Sequence, residues 1–319
     1  MAKSLLSAPH FHDEAAALAF IEARVWPNGP VCPRCGETLR ISRMKGKSTK
    51  LGALKCYVCR KPFTATMDTV MESSHISLHV WLQAMHLLAT SKKGISTNQL
   101  HRTLGCTLKS AWFLSHRIRE AMKEPRNLFT PPLGGTGQTL EADETYVGRK
   151  STSKAYKPPG PKQAVMALVE RHGKVRTFHV SNVTAANLRP ILGRHAHEDS
   201  RFMTDESPIY TGIGWNFAGH GVVTHSADEY VRGDVHTNTV EGYFSILKRG
   251  VYGVYQHVSE AHLKRYLAEF DFRYSNRIAL GIDDTARTDL AVKGIVGKRL
   301  TYRTTSGNRP APITPYAGP

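Results

Sequence analysis

Two CxxC pairs, Cys32-Pro-Arg-Cys35 and Cys56-Tyr-Val-Cys59, stand twenty residues apart, and no other feature constrains this chain as tightly. Each CxxC turn can place two thiolates on one ion, and two such turns complete a tetrahedral site. The stretch between them, "LRISRMKGKSTKLGALK" within it, is too short and too polar to build its own core. Metal binding would then supply its folding free energy. The expectation is a zinc ribbon over residues 30–70, with Cys32, Cys35, Cys56 and Cys59 around a structural Zn²⁺. Four thiolates leave no open position for catalysis. Cys106 sits alone in a helical region and reads as a packing residue.

Lys and Arg number 43 against 26 Asp and Glu, a net charge of +17, and the pI is about 9.8. That excess favours a polyanion partner, most simply nucleic acid. No stretch approaches the roughly 18 uninterrupted apolar residues of a membrane span, and "MAKSLLSAPHFHDE" has no signal-peptide core. The expectation is an intracellular protein without a membrane, cytoplasmic and nucleoid-associated in a bacterial cell.

Apolar periodicity divides the chain. Residues 1–29 contain a short amphipathic helix capped near Asp13. Residues 71–124 are helical: one helix over 76–90, then 96–104 and 107–123 separated by Gly105–Cys106. The last two fit a helix-turn-helix, with Ser96 or Thr97 capping the first and Thr107 the second. Lys109, His116, Arg117 and Arg119 would then face phosphates or bases. A Pro/Gly-rich linker spans 125–138, and residues 301–319 read as a disordered tail.

Residues 139–300 change pattern. "TLEADETYVGR" reads as a strand, "QAVMALVERHGKVRTFHVS" as a hairpin turning at His172–Gly173, 184–196 as a helix, and "SRFMTD" and "HGVVTHS" as strands. Two helices follow. This order delivers Asp143 on a first strand, Asp205 on a fourth, and Glu241 on the helix after a fifth. A ribonuclease-H-like fold, an α/β layer with a mixed five-stranded sheet and flanking helices, presents acids in that order. Strand alternation puts Glu141, Asp143 and Thr145 on one face and Glu144 on the other. Three acids of this kind suit phosphoryl transfer with two divalent ions about 4 Å apart. Hard oxygen ligands select Mg²⁺ or Mn²⁺.

The stretch "DVHTNTVEGYFSILKRG", 234–250, admits two readings. Asn238 with Glu241 three residues on is a capping-box pattern, which would fold the carboxylate back onto the backbone. Alternatively, Glu241 holds a metal, and Lys248 and Arg249 meet DNA further along the helix.

On "WPNGPVCPRCG", "KCYVCRKPFTATMDTVMESSHISLHVWL", "EADETYVG", "HTNTVEGYFSILKRG" and "YLAEFDFRYSNR", most of the chain resembles the DDE transposases of the Merlin-like insertion-sequence superfamily, the ISXO type. One departure is Arg149 in "YVGRK", where a second Gly often follows the first. The resemblance implies a ribbon that helps bind terminal inverted repeats and a catalytic domain that cuts and joins DNA strands. It implies Asp143 and Asp205 as the first two catalytic acids and Glu241 or Asn238 as the third. It also implies cleavage at element ends, transfer of 3′-OH ends into target DNA, and a homodimer or larger synaptic assembly. The competing readings are a catalytically silent, transposase-derived DNA-binding protein and a ribonuclease-H-like nuclease of repair or recombination.

Overall fold

The computed structural model describes residues 4–125, 129–148 and 162–301. Arg149 and the end of the chain, Thr304 to Pro319, lie outside them. Helix α1 (Glu14–Val25) starts where Asp13 accepts from the Ala16 N–H at 2.7 Å. The cysteine module is a three-stranded antiparallel sheet: β1 (Ile41–Arg43), β2 (Leu54–Cys56) and β3 (Pro62–Phe63). Its own core is only Cys32, Leu54, Cys56 and Phe63.

Helices α2 (Leu78–Thr90), α3 (Thr97–Leu104) and α4 (Leu108–Met122) follow. Ser96 and Thr107 cap α3 and α4, each accepting a backbone N–H at 3.1 Å. Gly105 takes the left-handed conformation between them, φ 65°, which a side chain would disfavour.

The second half builds one sheet. Strands β4 (Thr139–Val147), β5 (Gln163–Glu170) and β6 (Val175–Val180) run antiparallel, the last two turning through His172, φ 57°. Helix α5 (Ala185–His195) crosses to β7 (Arg201–Asp205), and α6 (Pro208–Gly214) to β8 (Gly219–Val223). The strand order is β6-β5-β4-β7-β8, with β4, β7 and β8 parallel. This is the expected ribonuclease-H-like sheet. A two-stranded ribbon, β9 (Val231–Arg232) with β10 (Val235–His236), leads into α7 (Asn238–Gly250), α8 (Glu260–Ser275) and α9 (Asp284–Lys293).

Alternation sorts the two faces of the sheet. Leu140, Ala142, Met166 and Phe202 pack against Leu188 of α5 and Tyr210 of α6. Val147, Val165, Ala167 and Val169 pack against α7 and α8.

Two departures from the sequence reading concern packing at long range. Within the 125–138 segment, Leu133 is buried and bonded to the His195 carbonyl and the His197 N–H at 2.7 and 2.8 Å. Part of that segment is therefore built into the edge of the α5 layer. Helix α9 carries Ala291 and Val292 back into the core formed by α1, α2 and α4. Between the helical layer and the sheet, Arg119 of α4 pairs with Glu269 of α8 at 2.6 Å, and Arg273 pairs with the same carboxylate. Among the described residues, no helix is long and apolar enough to cross a membrane.

Candidate active site and zinc centre

The four expected cysteines meet. Cys32 and Cys35 come from the turn before β1, Cys56 from the end of β2 and Cys59 from the turn before β3. Sγ of Cys32 lies 3.7 Å from Cys59, and Sγ of Cys35 lies 3.6 Å from Cys56. A tetrahedron with Zn–S bonds of about 2.3 Å spaces its sulfurs about 3.8 Å apart, so the donor set and its size both fit zinc. Among the described residues, this is the one group of three or more His, Cys, Asp or Glu side chains whose ligand atoms all lie within 4.8 Å of one another.

The acids are set more loosely. Strand β4 pairs with β7 in parallel, Thr139 opposite Arg201 and Glu141 opposite Met203. Continued two residues past the last paired position, that register runs to Asp143 and Asp205, and the charge of Asp205 acts on the Asp143 carboxyl. Glu241 arrives from the fourth residue of α7. Burial pushes the Asp143 carboxyl up to about 6. The Glu144 N–H, donating at 2.6 Å, opposes this, and the charges of Asp205 and Glu241 add to it. Glu144 does point to the opposite face. It accepts from the Tyr210 hydroxyl, and burial raises its carboxyl to about 7.

The start of α7 does not form the capping box. Thr237 is the N-cap and Asn238 the first helical residue. The N–H groups of Thr239 and Val240 donate to the Glu141 carboxylate at 2.8 and 3.0 Å. With Asn238 inside the helix rather than at its cap, Glu241 does not fold back onto the Asn238 N–H. It is exposed, accepts from the Thr237 hydroxyl at 2.9 Å and faces Nε2 of His225 at 3.8 Å. Asn238 is exposed one turn away. Lys248 is exposed two turns beyond Glu241, and Arg249 bonds the Ser245 hydroxyl.

The second helix of the helix-turn-helix is corrected. Lys109 is exposed near its start, but the other three cationic or titratable candidates are buried. The Arg117 guanidinium donates to the Leu300 and Glu72 carbonyls at 3.2 and 2.6 Å. Arg119 is fully buried on Glu269. His116 is buried against Trp112 and His262. An Arg in an amphipathic helix looks the same in sequence whether its head reaches water or a buried carboxylate. Glu141, Arg171 and His225 were missed as neighbours of the site. For Glu141 a signal existed, since alternation already put it on the face of Asp143.

A ribonuclease-H-like sheet with acids gathered beside its central strand, joined to a four-cysteine ribbon, defines a nucleic-acid-processing class of protein. Residues 132–275 match the ISXO2-like transposase domain, and residues 12–62 match the transposase zinc-ribbon domain. The chain therefore carries an ISXO2-like transposase domain behind a transposase zinc ribbon, the domain make-up of a DNA-processing enzyme. It is 27% identical over 280 residues to a protein of transposable element ISH50 from Halobacterium salinarum, covering 82% of this chain and 91% of that one. Two solved structures overlay at 14% identity. A pre-cleavage Mos1 transpososome has a TM-score of 0.25, covering 67% of this chain and 75% of that chain. A mariner Mos1 paired end complex with Mg has a TM-score of 0.23, covering 67% and 78%. The ribonuclease-H-like fold follows from the strand order β6-β5-β4-β7-β8.

Proposed function

We propose that the chain cleaves phosphodiesters at the ends of its insertion sequence and transfers the 3′-OH ends into target DNA, with Mg²⁺ or Mn²⁺ held by Asp143, Asp205 and Glu241. The observation that carries this reading is the approach of three carboxylates from segments 62 and 36 residues apart in sequence. Burial and the other two charges together raise Asp143 to about 6. Such a set is relieved by a cation, and its hard oxygen donors fit Mg²⁺ or Mn²⁺. A divalent ion bound there would supply Lewis-acid activation of the attacking and leaving oxygens. Asp143 and Asp205 would grip it from neighbouring strands and Glu241 from the helix. Asn238, one turn from Glu241, is the alternative third ligand.

The exposed Arg34, Arg40, Arg43, Lys45, Lys47 and Arg60 support a ribbon that tracks the phosphates of the terminal repeats. Lys248, Arg249 and Lys109 would add phosphate contacts. Two ends must be held together, so the working form is a dimer or a larger synaptic assembly, acting on DNA of the bacterial nucleoid. The test is strand cleavage of end-containing DNA with Mg²⁺. Glu241→Gln abolishes cleavage and leaves end binding intact. Near-normal cleavage by that variant moves the role to Asn238, and a wild-type chain that binds ends without ever nicking them sinks the enzymatic reading.

A further inference from the structure

The helix that carries Glu241 is held at its first turn by a carboxylate from another element. Glu141 is completely buried, on strand β4, two residues before Asp143 and on the same face. Its Oε2 accepts the N–H groups of Thr239 and Val240, two of the donors that a helix start leaves without partners. Its Oε1 accepts the Thr239 hydroxyl at 2.8 Å and Nε of Arg171 at 2.6 Å. Arg171 reaches on from there. Its Nη1 donates to the Asp234 carbonyl and its Nη2 to the His236 carbonyl, both at 2.8 Å. Nδ1 of His236 lies 3.3 Å from Glu141.

One buried carboxylate and one guanidinium therefore tie the strand bearing Asp143 to the segment that enters α7 and to the first turn of α7. A carboxylate at a helix N-terminus also opposes the positive end of the helix dipole. Ordinary capping would come from a local side chain. A cap supplied from β4 instead makes the helix start and the strand move as one body.

We propose that Glu141 is a positioning residue that, with Arg171, fixes Glu241 relative to Asp143 and so sets the spacing of the metal-binding acids. This rests on the reading of Asp143, Asp205 and Glu241 as the metal-holding set. Partners of this kind orient ligands without touching the ion, and their loss typically weakens metal binding about 10- to 100-fold.

The test uses the full-length, zinc-loaded chain with Mn²⁺ alone as probe. Its binding is read by electron paramagnetic resonance, and amide exchange is followed at Thr239 and Val240. Wild type binds Mn²⁺ and Glu241→Gln loses it. Glu141→Gln, the same shape with its acceptor for the two N–H groups compromised, binds about 10- to 100-fold more weakly, and both amides exchange faster. Arg171→Lys keeps the charge, loses the forked contacts and falls between. Asp271→Asn is the control for stability alone. Asp271 holds the middle of α7 through the Tyr243 hydroxyl at 2.8 Å and holds β6 through Thr177. It should lower the melting temperature and leave Mn²⁺ affinity within about twofold of wild type.

Unchanged Mn²⁺ binding in Glu141→Gln overturns the proposal, and so does equal weakening by Asp271→Asn. If wild type binds no Mn²⁺, or Glu241→Gln binds as well as wild type, the metal-site reading is what fails. Amide exchange then decides the clasp by itself: faster exchange at Thr239 and Val240 in Glu141→Gln upholds it, and unchanged exchange overturns it.

Discussion

The ribbon and the sheet solve the same problem, gathering anionic ligands, by opposite means. The ribbon draws four thiolates from 28 residues of chain and sets them 3.6 to 3.7 Å apart in pairs, over a core of four buried side chains. The sheet draws three acids from positions 143 to 241, leaves them further apart, and surrounds them with a deep core on both faces. Where ligands are local, the metal can organise the fold. Where they are distant, the fold must exist first and hold the ligands in place.

The difference should show most sharply on zinc removal. Chelation should melt residues 30–63 and leave the amides of β4 to β7 protected in hydrogen exchange. The loss is on the order of 10 kcal/mol of ribbon folding free energy. Loss of protection in the sheet at the same chelator concentration would erase the contrast.

The next effect lies in the scaffold. Glu269→Gln strands the buried Arg119 and Arg273 charges between α4 and α8, at a cost of about 3–5 kcal/mol. Chemical denaturation should show it as an earlier midpoint for sheet and helices together, with the ribbon's zinc affinity unchanged. A shift confined to the helices would mean that the two layers fold independently.

The smallest effect is a pH slope. Burial, then Arg119, His262 and Arg265, hold His116 down at about 2, and His262 is lowered by the same kinds of cause. Both rings are neutral in the fold and take up protons when unfolded. Their contribution is therefore complete above the ordinary histidine value of 6.5 and is lost as pH falls below it. For His116 the loss is up to about 1.4 kcal/mol per pH unit. Melting temperature against pH should flatten between about pH 6 and 4 in His116→Phe. An unchanged slope would assign the acid sensitivity elsewhere.

Much of the architecture was legible in the chain. Helix starts at Asp13, Ser96 and Thr107 are local hydrogen bonds that short side chains make in any context. The hairpin at His172–Gly173 and the faces of β4 follow from turn chemistry and a period of two. The α7 capping box was legible as well, yet it did not form. The helix starts one residue earlier, with Thr237 as its cap and Asn238 already inside, and Glu141, 98 residues from Thr239, takes the N–H groups of Thr239 and Val240.

The sequence by itself determined the ribbon's four ligands, the type and order of the elements, and the strand face that carries Glu141 and Asp143. All of these depend on spacing along the backbone. Tertiary structure alone decided that the first turn of α7 is held by Glu141 from β4. It alone decided that Arg117 and Arg119 are interior residues, and that α9 closes the helical core at the far end of the chain. Those outcomes depend on which buried charges and apolar faces meet at long range. Burial makes an unpaired charge costly enough to override any local preference.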